Sequence, residues 1–103
     1  MRYHLSTTKR FDKALLSCVS RGYDISKLRV VMSLLEENGK LPQQYRPHKL
    51  KGYKGNNVWE CHIEPDWLLI WEQYDDTLVL VMISTGTHSD LFGKNRRKRT
   101  EPC

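Results

Sequence analysis

Long apolar runs are missing from this 103-residue chain, and no apolar h-region follows Met1-Arg2. Nothing approaches the roughly 18 residues that a membrane span requires. The expectation is a soluble protein that is neither embedded in a membrane nor exported. Cysteine is scarce too: Cys18, Cys61 and Cys103 are three, with no CxxC pair, and two of them fall in apolar stretches. That excludes a disulfide framework and a zinc knuckle, and it fits a reducing cytoplasm. Internal repeats are absent, and the length leaves room for one core only.

Charge is not evenly spread. The formal net charge is +5, but Lys94, Arg96, Arg97, Lys98 and Arg99 face only Glu101 in the final ten residues. Residues 1–93 keep 12 basic and 11 acidic groups, with local basic clusters at Lys9, Arg10 and Lys13 and at Arg46, Lys49, Lys51 and Lys54. The expected organisation is a single domain over 1–93 and a basic tail over 94–103. Such a tail attracts phosphate by counterion release, or is simply a solvated end.

Phe11, Ala14, Leu15, Cys18 and Val19 recur at i, i+3, i+4, i+7 and i+8, the stripe of an amphipathic helix over 8–21 that Gly22 stops. A second helix opens near Asp24 or Ser26, buries Leu28, Val31, Met32 and Leu35, and ends at Gly39 in a left-handed cap. A short strand over 2–6 precedes this helix hairpin, and a loop with two prolines follows over 41–47. A further short strand at 48–51 leads into runs at 58–63, 67–74 and 78–85. These are rich in aliphatic and aromatic residues and are broken by Pro65-Asp66 and Asp75-Asp76. The pattern predicts an α+β domain, a helix hairpin packed on a small antiparallel sheet.

With those two turns, Glu64 opposes Trp67, His62 opposes Leu69, Tyr74 opposes Thr77 and Trp67 opposes Ser84. His62, Asp66, Trp67 and His88 then share one end of the sheet. Thr87 and Asp90 have capping-box spacing, so a short helix starts at His88 with amides able to hold a phosphate. Histidine exchanges protons near neutral pH, and several of them beside a carboxylate point to general acid–base chemistry. Bland alternatives stand beside this reading. His62 fits a surface strand position on the face of Glu60 and Glu64, and His88 fits a capping contact. Asp66 fits an ordinary turn, Trp67 and Phe92 fit core positions, and His48 fits the flank of a proline loop. No metal is expected, because Pro65 breaks any helical His62–Asp66 pair and no cysteine set completes a tetrahedral site.

The runs from Leu41-Pro42 through Tyr45, His48, Leu50 and Gly52, then Cys61-His62-Ile63-Glu64-Pro65-Asp66-Trp67-Leu68-Leu69-Ile70, and Thr85-Gly86-Thr87-His88-Ser89-Asp90-Leu91-Phe92 resemble YafQ-type toxins. These are a branch of the RelE superfamily of bacterial type II toxin-antitoxin systems. The resemblance implies a RelE-like microbial ribonuclease fold that cleaves messenger RNA at the ribosome without a metal or cofactor. It also implies a small acidic cognate antitoxin in a hetero-oligomer. Matched residue by residue, the family's functional positions fall on His48, His62, Asp66, Trp67, His88 and Phe92. Trp59-Glu60 departs from the basic and small or acidic pair that many relatives carry there, so no arginine is carried over to that strand.

RNA brings its own nucleophile, the 2′-hydroxyl. A base removes its proton, donors hold the phosphorane, and an acid protonates the leaving 5′ oxygen. His88 is assigned the acid, and Asp66 or alternatively His48 the base. His62 orients the phosphate or shares the protons. Trp67 and Phe92 hold bases, and Lys49, Lys51 and Lys54 hold the backbone. The competing readings are a non-catalytic basic nucleic-acid or partner-binding module, such as a toxin-like repressor subunit, and a nuclease with a metal on His62, Asp66 and His88.

Overall fold

Thr8 marks the first change of direction: its backbone is extended and its hydroxyl accepts from the amide of Phe11, so strand β1 (His4–Thr7) passes directly into helix α1 (Lys9–Ser20). The computed structural model describes residues 2–51 and 57–93. Helix α1 buries Phe11 and Cys18 and stops where Gly22 takes φ +83°. Val19, expected on the buried stripe, is 51% exposed, so the stripe is narrower than its spacing suggests.

Helix α2 (Ile25–Asn38) is capped by Asp24, whose carboxylate accepts from both the amide and the hydroxyl of Ser26. These bonds hold the Asp24 carboxyl below its usual range. Leu28, Val31 and Leu35 are buried, Met32 is half-buried, and Gly39 closes the helix in the left-handed conformation at φ +69°. A 3₁₀ turn (Gln43–Tyr45) then leads to strands β2 (His48–Lys49), β3 (Val58–Glu64), β4 (Trp67–Tyr74) and β5 (Val79–Gly86), and to helix α3 (His88–Phe92).

The sheet order is β1-β5-β4-β3-β2. The β2 to β5 pairs are antiparallel as expected, whereas β1 lies parallel to β5 and makes the sheet mixed. The chain between β1 and β5 runs through the helix hairpin and strands β2 to β4, a connection long enough for the two strands to lie side by side in the same direction.

Both expected turns are present, with longer registers. Glu64 opposes Trp67, but an irregularity between His62 and Glu64 puts His62 opposite Leu68 instead of Leu69. At the second turn Tyr74 pairs with Val79 rather than Thr77, because residues 75–78 all belong to the turn and Leu78 takes φ +56°. A further shift between Ile70 and Trp71 sets Ser84 opposite Ile70, not Trp67, and Gly86 opposite Leu68. The two β4–β5 shifts carry the end of β5 and the following Thr87-His88 to the Pro65-Asp66 turn.

One sheet face packs on the helices through Cys61, Ile63, Trp67, Leu69, Trp71, Leu80 and Met82. The opposite face carries a smaller cluster of Leu50, Val58 and Ile70, flanked by Ile83, Leu91 and Phe92. Among the described residues no helix is long and apolar enough to cross a membrane.

Candidate active site

Two pairs of groups flank the Pro65-Asp66 turn, His48 with His62 and Asp66 with His88. His62 lies on β3, and its Nδ1 is 3.4 Å from the carbonyl oxygen of Pro65. Across the same face stands His48 of β2, with ring centroids 6.4 Å apart. On the other side of the turn, Oδ1 of Asp66 accepts from the amide of His88 at 3.4 Å. The His88 ring lies 4.9 Å from that of Phe92, one helical turn further along α3. The turn is thus a hub, with its carbonyl at His62 and its carboxylate at His88.

Each of these side chains is held by its local structure. Arg46 adopts a left-handed backbone, φ +49°, and its carbonyl oxygen lies 3.0 Å from His48 Nδ1. Helix α3 has the full capping box: Asp90 N donates to Thr87 Oγ1, and Thr87 N donates to Asp90 Oδ2. Arg21, at the end of α1, reaches Asp90 Oδ2 at 2.8 Å and ties α3 to the helix hairpin. Burial alone would raise the Asp90 carboxyl, but the Thr87 amide, the Arg21 guanidinium and the Thr87 hydroxyl outweigh it and hold it below the usual range. Gly86 permits this closure, because at φ +145° a Cβ there would meet Asp90 Oδ2 at 2.8 Å.

Several expectations change at this point. The amides at the start of α3 were expected to hold a phosphate, yet those of His88 and Asp90 are already engaged by Asp66 and Thr87. Trp67, expected as a platform for bases, is 2% exposed and faces the helices. Its ring stands edge-on to Tyr23 at 4.8 Å, and its Nε1 donates to Thr85 Oγ1, which donates to Leu68 O. It supports the turn from below. Glu64, expected on the face of His62, turns after the strand irregularity to pair with Lys27 of α2 at 2.6 Å. Lys49 lies with its ammonium 5.8 Å from the Trp59 ring, on the side of the strand away from His48. Lys51 is exposed, and Lys54 and the tail over 94–103 lie outside the described residues.

The residue that sequence reasoning passed over is Glu60. It is 0% exposed, opposes His48 in register, and brings Oε1 within 2.9 Å of His48 Nε2. Alternation along β3 placed it on the face of His62, and that was the available signal. A cavity of 420 Å³ adjoins the turn on the side of the helices, lined by Gly22, Tyr23, Asp24, Glu64, Asp66 and Trp67 and by none of the histidines. Among the described residues no group of three or more His, Cys, Asp or Glu side chains is arranged to hold a metal ion.

The arrangement sets His62 against the carbonyl and the His88 backbone against the exposed carboxylate of one turn, and pairs His48 with a buried carboxyl. Comparison with known proteins gives this geometry a family. A family model described as the bacterial toxin of type II toxin-antitoxin systems, YafQ, matches residues 3–93. The mRNA interferase toxin YafQ of Escherichia coli strain K12 is 38% identical over 86 residues, covering 82% of this chain and 89% of that protein. The fold is similar to YafQ in the crystal structure of the E. coli DinJ-YafQ toxin-antitoxin complex. The TM-score is 0.82 at 33% identity, over 90% of this chain and all (100%) of that one. A metal-bound toxin from Helicobacter pylori is similar at TM-score 0.79 and 35% identity, over 89% of this chain and 100% of its own. The chain belongs to the YafQ family of type II toxin-antitoxin toxins.

Proposed function

We propose that this chain is the toxin of a type II toxin-antitoxin pair and an endoribonuclease that cuts messenger RNA on the ribosome. The observation that carries the reading is the turn hub. One two-residue turn holds the ring of His62 by a carbonyl and the backbone of His88 by a carboxylate, on the fold of a family whose E. coli member is named an mRNA interferase.

The chemistry needs no group beyond the side chains and the RNA. As the 2′ oxygen bonds to phosphorus, a base takes its proton, and as the bond to the 5′ oxygen breaks, an acid protonates it. His88 serves as the acid and Asp66 or His48 as the base, while His62 orients the phosphate or shares the proton traffic. Phe92 holds a base beside His88. Trp67 acts through the turn it supports, and Lys51 together with Lys49 and Lys54 serves the RNA backbone. The DinJ-YafQ complex supports a cognate antitoxin, a small acidic protein, as the partner in a hetero-oligomer. The cytoplasm, where ribosomes are, is the working compartment.

Expression of the chain alone should arrest bacterial growth, and the folded His88→Ala variant should not. Loss of arrest with retained RNA affinity separates an enzyme from a non-catalytic binding module. Equal harmlessness of wild type and variant, both folded, would sink the catalytic reading. Cleavage that persists in excess chelator would distinguish this mechanism from a metal-dependent one.

A further inference from the structure

Burying a carboxyl in a sheet is costly unless a partner offsets the lost hydration. Glu60 is wholly buried in the middle of β3, and strand pairing sets His48 directly opposite it, Nε2 to Oε1 at 2.9 Å. The other ring nitrogen, Nδ1, lies 3.0 Å from the Arg46 carbonyl oxygen. A carbonyl oxygen only accepts, so Nδ1 carries a hydrogen. With Glu60 ionised, its carboxylate also only accepts, and Nε2 then carries one as well. His48 then has no lone pair with which to receive a proton.

His62 differs in the relevant respect. Its Nδ1 faces one carbonyl, that of Pro65 at 3.4 Å, which makes that nitrogen the donor and leaves the lone pair on Nε2. That nitrogen meets no hydrogen-bond partner among the described residues.

We propose that Glu60 is a positioning residue that holds His48 as a doubly protonated, fixed cation beside the scissile phosphate, so that His62 rather than His48 takes the proton of the 2′-hydroxyl. The inference rests on the ribonuclease reading and replaces its base assignment, dividing the work among three histidines while Asp66 holds the His88 backbone. His62 Nε2 accepts the 2′ proton as the new P–O bond forms. His88 gives a proton to the departing 5′ oxygen as the old bond breaks. His48 exchanges no proton and holds the charge that accumulates on the phosphate.

The test uses the purified full chain with ¹⁵N-labelled histidine near neutral pH. In the wild type both ring nitrogens of His48 should read as protonated, and His62 should show a bare Nε2. In Glu60→Gln, which keeps the shape of the side chain, His48 should become a single neutral tautomer. With ribosome-bound message, Glu60→Gln should lower kcat about tenfold or more with KM little changed, as expected when a fixed charge that stabilises the transition state is lost. His48→Arg, which keeps a cation against Glu60, should stay more active than His48→Ala, whereas His62→Arg should be inactive. A bare ring nitrogen on His48 in the wild type would overturn the proposal, whatever the folding of the variants. A wild type that shows the doubly protonated ring but cuts no message would uphold the pair and overturn the ribonuclease reading instead.

Discussion

Trp67 and Glu60 exchange the roles that their chemistry suggests. A tryptophan beside a turn in an RNA-directed protein invites a stacking role, yet its ring is buried and its Nε1 begins a chain through Thr85 to the Leu68 carbonyl. Trp67→Phe should therefore destabilise the protein by about 1–3 kcal/mol, since Thr85 loses its donor in a dry setting. Urea unfolding measures this; unchanged stability with impaired cleavage would instead restore the ring to the RNA. Asp90 yields a prediction in pH. Its folded carboxyl lies below the usual range, so its contribution is complete above the unfolded value of about 3.9 and is lost as pH falls through the folded one. Its side chain is 34% exposed, so solvent screens the Arg21 pair and the effect is modest. Acid should loosen α3 before the sheet, seen as early movement of the His88 and Phe92 resonances. In Asp90→Asn that early step should disappear.

Helix ends were legible because each depends on one residue and its near neighbours. Thr8, Asp24, Gly39 and the Thr87–Asp90 box all stand where their side chains or backbone freedom direct. Strand registers were not, because the irregularities at His62/Glu64 and Ile70/Trp71 each take up a residue without breaking the apolar alternation from which register is read. The parallel β1–β5 pair was hidden for a related reason: direction depends on where a long connection returns, and no local signal in His4–Thr7 carries it. The approach of His88 to Asp66 did not hang on the exact register, since both β4–β5 shifts bring the end of β5 nearer to the Pro65-Asp66 turn. Gly39 and Gly22 test the helix ends. A Cβ at Gly39 would meet the Tyr3 ring at 2.5 Å on top of a left-handed backbone, so Gly39→Ala should cost about 1–3 kcal/mol. Gly22, with nothing within 4 Å, has only the conformational strain, and Gly22→Ala should cost less. Equal unfolding midpoints for the two variants would show that the Tyr3 ring moves aside freely.

On the scale of the whole molecule, charge is unevenly divided along the sequence. Residues 1–93 are nearly balanced, while five basic residues against one acidic group lie in 94–103. Gly93 N donates to Ser89 O and completes the last turn of α3, so truncation after Gly93 keeps that helix and the capping box whole. Deleting 94–103 should leave the unfolding midpoint unchanged while weakening association with ribosomes or RNA at low salt. Each phosphate that the tail no longer neutralises should flatten the plot of log affinity against log salt by roughly 0.7 to 0.9, because its counterions stay condensed on the RNA. Charge in the tail acts before any base is read, so the preference among RNA sequences should not change with truncation. Titrating both forms at several salt concentrations decides the matter. Two parallel lines would show that the tail is a solvated end and that the folded domain supplies the whole attraction; convergence at high salt would assign the difference to the tail.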